Sequence, residues 1–418
     1  MSRVTNLVRG AAALAIVAGI TACSTDAKVF GTTPRNDLFA SYVALGNSIT
    51  AGYQAGGISE ATQRASYANL LAQAMETRFA MPIVMAPGCP PPLVNLAGSR
   101  GSSNGVNFTS TTCNLRNPAY VTDVLNNVAV PGATSLDPTS TSTAASNMLT
   151  NLVLGGRTQV QRALMADPTF ATVWIGNNDV LSAAVSGFTY AVPNVTPGIT
   201  PVATFNTNFD KLMSELTAGA PGIKGVLIGV VQVANIPHFI PAQLLFSPQY
   251  VAGLSALAGK AITPHPVTCS PTSTSLISFQ IISAIKAGAH PAVISCDKST
   301  AAAAPPYGEA YVLDAQDQAA IKAAVDAYNA KIKSAADAAG FAYWDPNPTL
   351  EAQRQAGGCI PPYPNLAAVN PTTGAGNPFG PCISLDGIHP ADQGHKLVAE
   401  ALRQAINAKY GTNLPAIQ

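Results

Sequence analysis

Short apolar runs and longer helical stretches alternate along this chain, and that alternation constrains the fold more than any other feature. Runs at 43–45, 124–130, 172–175, 225–233 and 341–344 read as strands. Stretches at 67–79, 158–166, 204–218, 314–339 and 390–408 read as helices. The last two have the clearest 3.6-residue period, with Ile321, Val325, Tyr328 and Ile332 on one face. Alternating β and α elements predict a mostly parallel sheet covered by helices on both faces. Ligands of such sheets bind beyond the carboxyl ends of the strands. The loops after Leu45, Val130 and Ile175 carry Ser48, Gly132 and Asn178, so chemistry is expected there.

The first residues read as an export signal. Arg3 and Arg9 flank a polar start, an apolar stretch covers 11–20, and Thr21-Ala22-Cys23 follows. A basic start, a short apolar stretch and small residues at a cleavage site make a secretory signal. The stretch is well short of the ~20 residues a membrane-spanning helix needs. Ile20-Thr21-Ala22-Cys23 resembles a bacterial lipoprotein box, although the pattern prefers Leu where Ile20 stands. The resemblance implies that residues 1–22 are removed, that Cys23 carries lipid, and that 23–37 tether the fold to a bacterial envelope. Ser24 points to the outer membrane. A soluble secreted protein with an incidental cysteine is the alternative.

Cysteine usage agrees with export. Besides Cys23 there are six cysteines, which allow fifteen pairings, and sequence alone does not select one. They fall into local couples, so Cys89–Cys113, Cys269–Cys296 and Cys359–Cys382 are the expected bridges. Each would stabilise by ~3 kcal/mol, mostly by restricting the unfolded chain. With no CxxC pair or His/Cys cluster, no metal site is expected, and an oxidising compartment is the better reading. Only 10% of residues are charged and the net charge is +1, which gives no electrostatic case for nucleic acid. Residues 38–412 read as a single domain with insertions near 81–123, 238–309 and 350–384. The Thr/Ser/Ala tract at 134–150 and the Ala/Pro tract at 300–306 read as solvated loops.

Four motifs follow one another in a familiar order. They are Gly46-Asn47-Ser48-Ile49, the glycine after a strand at Val130-Pro131-Gly132, Gly176-Asn177-Asn178-Asp179, and Asp386-Gly387-Ile388-His389-Pro390. In this set the chain resembles the SGNH (GDSL-type) hydrolases. The resemblance implies a three-layer α/β/α sandwich around a mostly parallel five-stranded sheet of flavodoxin-like order. It implies a serine esterase with Ser48, His389 and Asp386 as catalytic residues, and with Ser48, Gly132 and Asn178 as the oxyanion hole. No metal or other cofactor is expected. The departure is Asn47, where the family has Asp. That position is neither nucleophile, base nor oxyanion donor.

The same residues suit this chemistry on physical grounds. An alcohol is a poor nucleophile at neutral pH, so Ser48 needs a base within hydrogen-bond reach. Histidine, with an unperturbed pKa of ~6.5, can take that proton and return it to the leaving group. Asp386 would fix the imidazole tautomer and stabilise the imidazolium. Backbone N–H groups of Ser48 and Gly132 and the amide of Asn178 would meet the developing oxyanion, where losing one donor costs ~3 kcal/mol. An α/β-hydrolase elbow wants Gly-x-Ser-x-Gly, and Thr50 stands where its last glycine would be.

Each motif also has an ordinary reading. Ser48 could close a strand-end turn, Asn178-Asp179 could cap a helix, and Asp386 could cap the last helix. Among five histidines His389 is favoured as base. His395 sits on the final helix, His238 reads as a partly buried loop residue near the site, and His265 and His290 are expected to face solvent. The insertion at 238–309 carries Phe239, Leu244, Leu245, Phe246 and Tyr250, then an apolar run at 276–285. These residues suit either a wall over an acyl chain or a satellite core stapled by Cys269–Cys296. The expected substrate is a small-molecule or lipid ester, with lipid favoured over an acetylated glycan. A non-catalytic surface binder and an acyltransferase are the alternatives.

Overall fold

The computed structural model describes residues 34–101, 113–120, 124–141, 147–298 and 310–418. Cys23, the signal segment, most of the tether and the tract at 300–306 lie outside the described residues. The main sheet contains β1 (Tyr42–Gly46), β2 (Phe170–Trp174), β3 (Lys224–Ile228) and β4 (Ala342–Trp344), all parallel and in that spatial order. The helices that concern the site are α1 (Ser48–Ala51), α2 (Tyr67–Met75), α3 (Gln159–Leu164), α4 (Asn178–Ser186) and α5 (Val202–Gly219). They continue with α6 (Ala315–Ala339), α7 (Pro346–Ala356) and α8 (Asp392–Tyr410).

Side chains alternate across β1 with the period of two that a strand imposes. Val43 and Leu45 join a buried cluster with Phe205 and Phe209 of α5 and Val325 and Tyr328 of α6. Tyr42 and Ala44 point the other way, into a cluster with Tyr67 and Leu71 of α2 and Leu402 and Ile406 of α8. Both faces are covered, which gives the three layers.

The expected strand at 124–130 is extended but irregular. Ala44 N–H donates to Asn126 O at 2.8 Å, Val128 N–H to Ala44 O at 3.0 Å and Val130 N–H to Gly46 O at 3.2 Å. Only Ala44 and Asn127 form a bridge. Asparagine amides do the rest, since Asn126 Nδ2 donates to Tyr42 O and Asn127 Nδ2 to Thr50 O, each at 2.8 Å. Counting this segment beside β1 yields the flavodoxin-like order, with the switch point between β1 and β2.

Other boundaries shift for identifiable reasons. The strand expected at 225–233 stops at Ile228 because side chains take over its N–H groups. Asn329 Oδ1 accepts from Val230, Asn177 Oδ1 from Val231 and Asn347 Oδ1 from Gln232. Helix α2 ends at Met75 rather than at 79, where Glu76 turns left-handed at φ 55°. Helix α8 starts at Asp392 rather than Pro390, because Pro390 is still bridged to Ile383 and Ala391 N–H bonds Cys382 O.

The tract at 134–150 is not a solvated loop at its start. Ser135, Asp137 and Thr139 are buried, and Asn208 and Lys211 of α5 reach Ser135 Oγ and Thr139 O. The insertion after His238 builds a satellite core. Ile240, Leu245, Leu254, Ile277, Ile281 and Ile285 cluster with Cys269 and Cys296. The local pairings Cys89–Cys113, Cys269–Cys296 and Cys359–Cys382 are the ones formed. His290 does not face solvent, since it is buried beside Tyr311, and His265 is half-buried.

Candidate active site

The chain leaves β1 at Gly46 and enters α1 at Ser48 after a single residue. Gly46 is required by close approach. A Cβ there would lie 2.7 Å from Trp174 O and 2.4 Å from Thr50 Oγ1. The fully buried Gln159 grips the same peptide from α3, with Oε1 accepting from Gly46 N–H at 2.9 Å and Nε2 donating to Gly46 O at 3.0 Å. Asn47 Oδ1 then accepts from Ile49 N–H at 3.1 Å and caps α1. Together these bonds fix the turn that presents Ser48, whose residue is 7% exposed.

His389 arrives from the loop before α8. Its Nε2 is 2.8 Å from Ser48 Oγ and its Nδ1 is 2.8 Å from Asp386 Oδ2. The carboxylate can only accept at neutral pH, so Nδ1 carries the proton and Nε2 accepts from the Ser48 hydroxyl. Asp386 Oδ1 also accepts from Ile388 N–H and His389 N–H at 2.9 Å and from Ser384 Oγ at 3.1 Å. Its Oδ2 accepts from Gly56 N–H at 2.8 Å. Burial alone would push this carboxyl up. His389 and the hydrogen bonds from His389 and Ile388 outweigh it and hold Asp386 well below the usual carboxylate range. Gly387 makes the turn possible at φ 74°, where a Cβ would meet the Phe379 ring at 2.8 Å. The ring of Tyr53 lies 5.1 Å from the imidazole, centroid to centroid.

Asn178 opens α4 without capping it, and lines the same cavity of about 40 Å³ as Ser48 and His389. Its Nδ2 donates to Ala133 O at 2.9 Å. Asp179 holds that loop by accepting from Ser135 N–H at 2.8 Å and Ser135 Oγ at 2.7 Å. Burial pushes the Asp179 carboxyl up to about 6 against those bonds. Gly132 occupies the loop at φ 84°, exposed and outside the residues lining that cavity. Asp386 does not cap α8, whose cap is Ala391. Asn47 Nδ2 and Asn177 Nδ2 are buried with no hydrogen-bond partner, and both residues line the cavity.

Two supporting residues carry no motif signal. Gln159 is one, and His238 is the other. His238 Nδ1 is 3.1 Å from the backbone O of Asp386, and Nε2 is 2.9 Å from Ser278 Oγ. A carbonyl only accepts, so Nδ1–H donates to it and Nε2 accepts from Ser278. His238 thus ties the satellite core to the acid-bearing loop. Ser384 was missed as well, although its place two residues before Asp386 in the same turn is a local signal.

A three-layer parallel α/β protein with a serine–histidine–aspartate relay at the carboxyl end of its first strand has the architecture of an ester hydrolase. Residues 42–402 match the GDSL-like lipase/acylhydrolase model, and the chain belongs to that family of carboxylic ester hydrolases. No curated protein matches it. Among solved structures it is similar to an extracellular lipase from Streptomyces rimosus, with 17% identity over 87% of this chain and 98% of that one, at a TM-score of 0.35. It is similar to an acetylxylan esterase from Geobacillus stearothermophilus at 12% identity, covering 89% and 94%, TM-score 0.37. An α/β hydrolase from the Lake Arreo metagenome gives 13% identity, 90% and 98% coverage, and a TM-score of 0.37. The family assignment rests on the family match.

His238 generates a pH prediction. Burial lowers its pKa to about 4, against the pull of Asp386, while an unfolded histidine titrates near ~6.5. The unfolded state therefore binds the proton first as pH falls. Stability from neutral His238 is fully present above pH ~6.5 and is lost progressively towards pH 4, by about 3 kcal/mol. His395, whose pKa burial lowers to about 3, contributes in the same direction. Urea midpoints of wild type and His238→Asn, measured from pH 7 to pH 4, should converge as pH falls. Parallel curves would refute the assignment.

Proposed function

We propose that this protein hydrolyses carboxylic esters through an acyl-enzyme on Ser48. The observation that carries the reading is the unbroken relay from Ser48 Oγ through His389 to Asp386, with both contacts at 2.8 Å. Ser48 Oγ attacks the ester carbonyl carbon as its proton passes to His389 Nε2. Asp386, charged at neutral pH, stabilises the imidazolium and holds its orientation. The oxyanion is met by the backbone N–H of Ser48 and by Asn178 Nδ2, which has a second N–H besides the one given to Ala133 O, while Gly132 lies outside the cavity they share. Collapse breaks the ester C–O bond, and the imidazolium returns its proton to the departing alkoxide. Water then attacks the acyl-serine, giving its proton to His389, and the free acid and Ser48 are released.

The reading extends to location. The protein is anchored by lipid on Cys23 to the bacterial envelope, on its extracytoplasmic side and at the outer membrane. The basic, apolar and small-residue start of the sequence supports this, as do three disulfides that suit an oxidising compartment. Among the described residues no helix is long and apolar enough to cross a membrane.

Wild type should label with a fluorophosphonate probe and hydrolyse p-nitrophenyl esters. Ser48→Ala should lose labelling and at least ~1,000-fold of turnover. Absence of both labelling and turnover in wild type would favour a binding role, and preferential transfer to an added alcohol would make the protein an acyltransferase. For the anchor, cells expressing the full chain should incorporate labelled palmitate into wild type but not into Cys23→Ser, which should leave the membrane fraction. Equal membrane retention of both, without label, would reject the lipid anchor.

A further inference from the structure

We propose that the acyl chain of the substrate lies in an apolar pocket between α7, α8 and the end of β4, which makes the protein selective for medium-chain acyl esters over acetyl esters. This rests on the reading of Ser48 as nucleophile. The cavity holding Ser48 and His389 shares Ile49, Val231, Ile236 and Ile388 with a second cavity of about 90 Å³. Two of those residues are sequence neighbours of the nucleophile and the base. Beyond them the second cavity is walled by Trp344, Leu350, Leu397 and Val398, and among the described residues Thr349, Gln353 and the indoles of Trp174 and Trp344 are its lining side chains with polar atoms. Apolar walls with so few hydrogen-bonding groups suit a hydrocarbon and leave a sugar hydroxyl unpaired.

The other side of the site is larger and carries more polar groups. There the Ser48 cavity shares Asn178, Leu181 and Ile388 with a space of about 600 Å³. Ser182, Ser186, Asn194 and Gln280 line it beside Val185, Phe188 and Val195. An ester bound across Ser48 has two arms, and the two spaces sort them. The acyl arm enters the narrow apolar pocket, and the alcohol arm lies in the wide space of mixed lining, where it can leave.

Each methylene buried in such a pocket is worth about fourfold in kcat/KM, from ~0.8 kcal/mol of transfer free energy. Wild-type kcat/KM for p-nitrophenyl octanoate should therefore exceed that for the acetate at least ~tenfold. Leu397→Trp and Leu350→Trp fill the pocket from half-buried positions outside the relay. Each should lower the octanoate-to-acetate ratio at least ~tenfold. Leu397→Phe is a milder second variant, expected to shift the ratio the same way. Fluorophosphonate labelling reports an intact nucleophile independently of chain length. Normal labelling with a flat wild-type chain-length profile, or with a ratio unmoved in folded variants, would overturn the acyl pocket. Failure of wild type to label would instead sink the serine mechanism beneath it.

Discussion

Asp386 accepts five hydrogen bonds, three on Oδ1 and two on Oδ2, and the active-site arrangement depends on that carboxylate. The donors come from two distant stretches of chain. Ser384, Ile388 and His389 belong to the loop before α8, while Gly56 follows α1. Ala55 N–H adds a bond to Ser384 Oγ at 2.8 Å, and Gln54 reaches Asp392 at 3.1 Å. The loop after the nucleophile and the loop bearing the base are thus stitched through one buried acid. A buried carboxylate is costly unless its lone pairs are used, and here they are. That saturation keeps Asp386 charged, and a charged Asp386 keeps His389 in the tautomer that can accept from Ser48.

The sheet supplies the other half of the constraint. Parallel strands end together at one edge, so residues far apart in sequence meet there. Gly46 packs against Trp174 O, and Gln159 seals the Gly46 peptide from α3. Ser48 therefore inherits its position from three elements, and His389 inherits its own from the Asp386 turn. His238 links that turn to the satellite core, so the insertion braces the acid.

Much of this was legible in the sequence because the relevant interactions are local. Asp386 and His389 sit three apart and share one turn, and Ser48 ends a run too apolar to be anything but buried strand. The cysteine couples were readable from proximity. What escaped were bonds between distant residues. Nothing near position 159 announces an amide clamp on Gly46, and nothing near 238 announces a contact with the carbonyl of Asp386. The overlong strand at 225–233 failed for the same reason. Its composition is strand-like, but from Val230 to Gln232 its N–H groups belong to asparagines from α6, α7 and the turn before α4. Asn47 keeps the α1 cap through Oδ1, yet leaves Nδ2 buried and unpaired, at a cost of about 1–3 kcal/mol.

The direct test of the account is Asp386→Asn, assayed at neutral pH with its fold verified by circular dichroism. An amide at 386 can donate to His389 Nδ1 and so select the tautomer that no longer accepts from Ser48. The account predicts that kcat falls about 1,000- to 10,000-fold while KM changes only a few-fold. A folded variant that keeps kcat within about tenfold of wild type would contradict it.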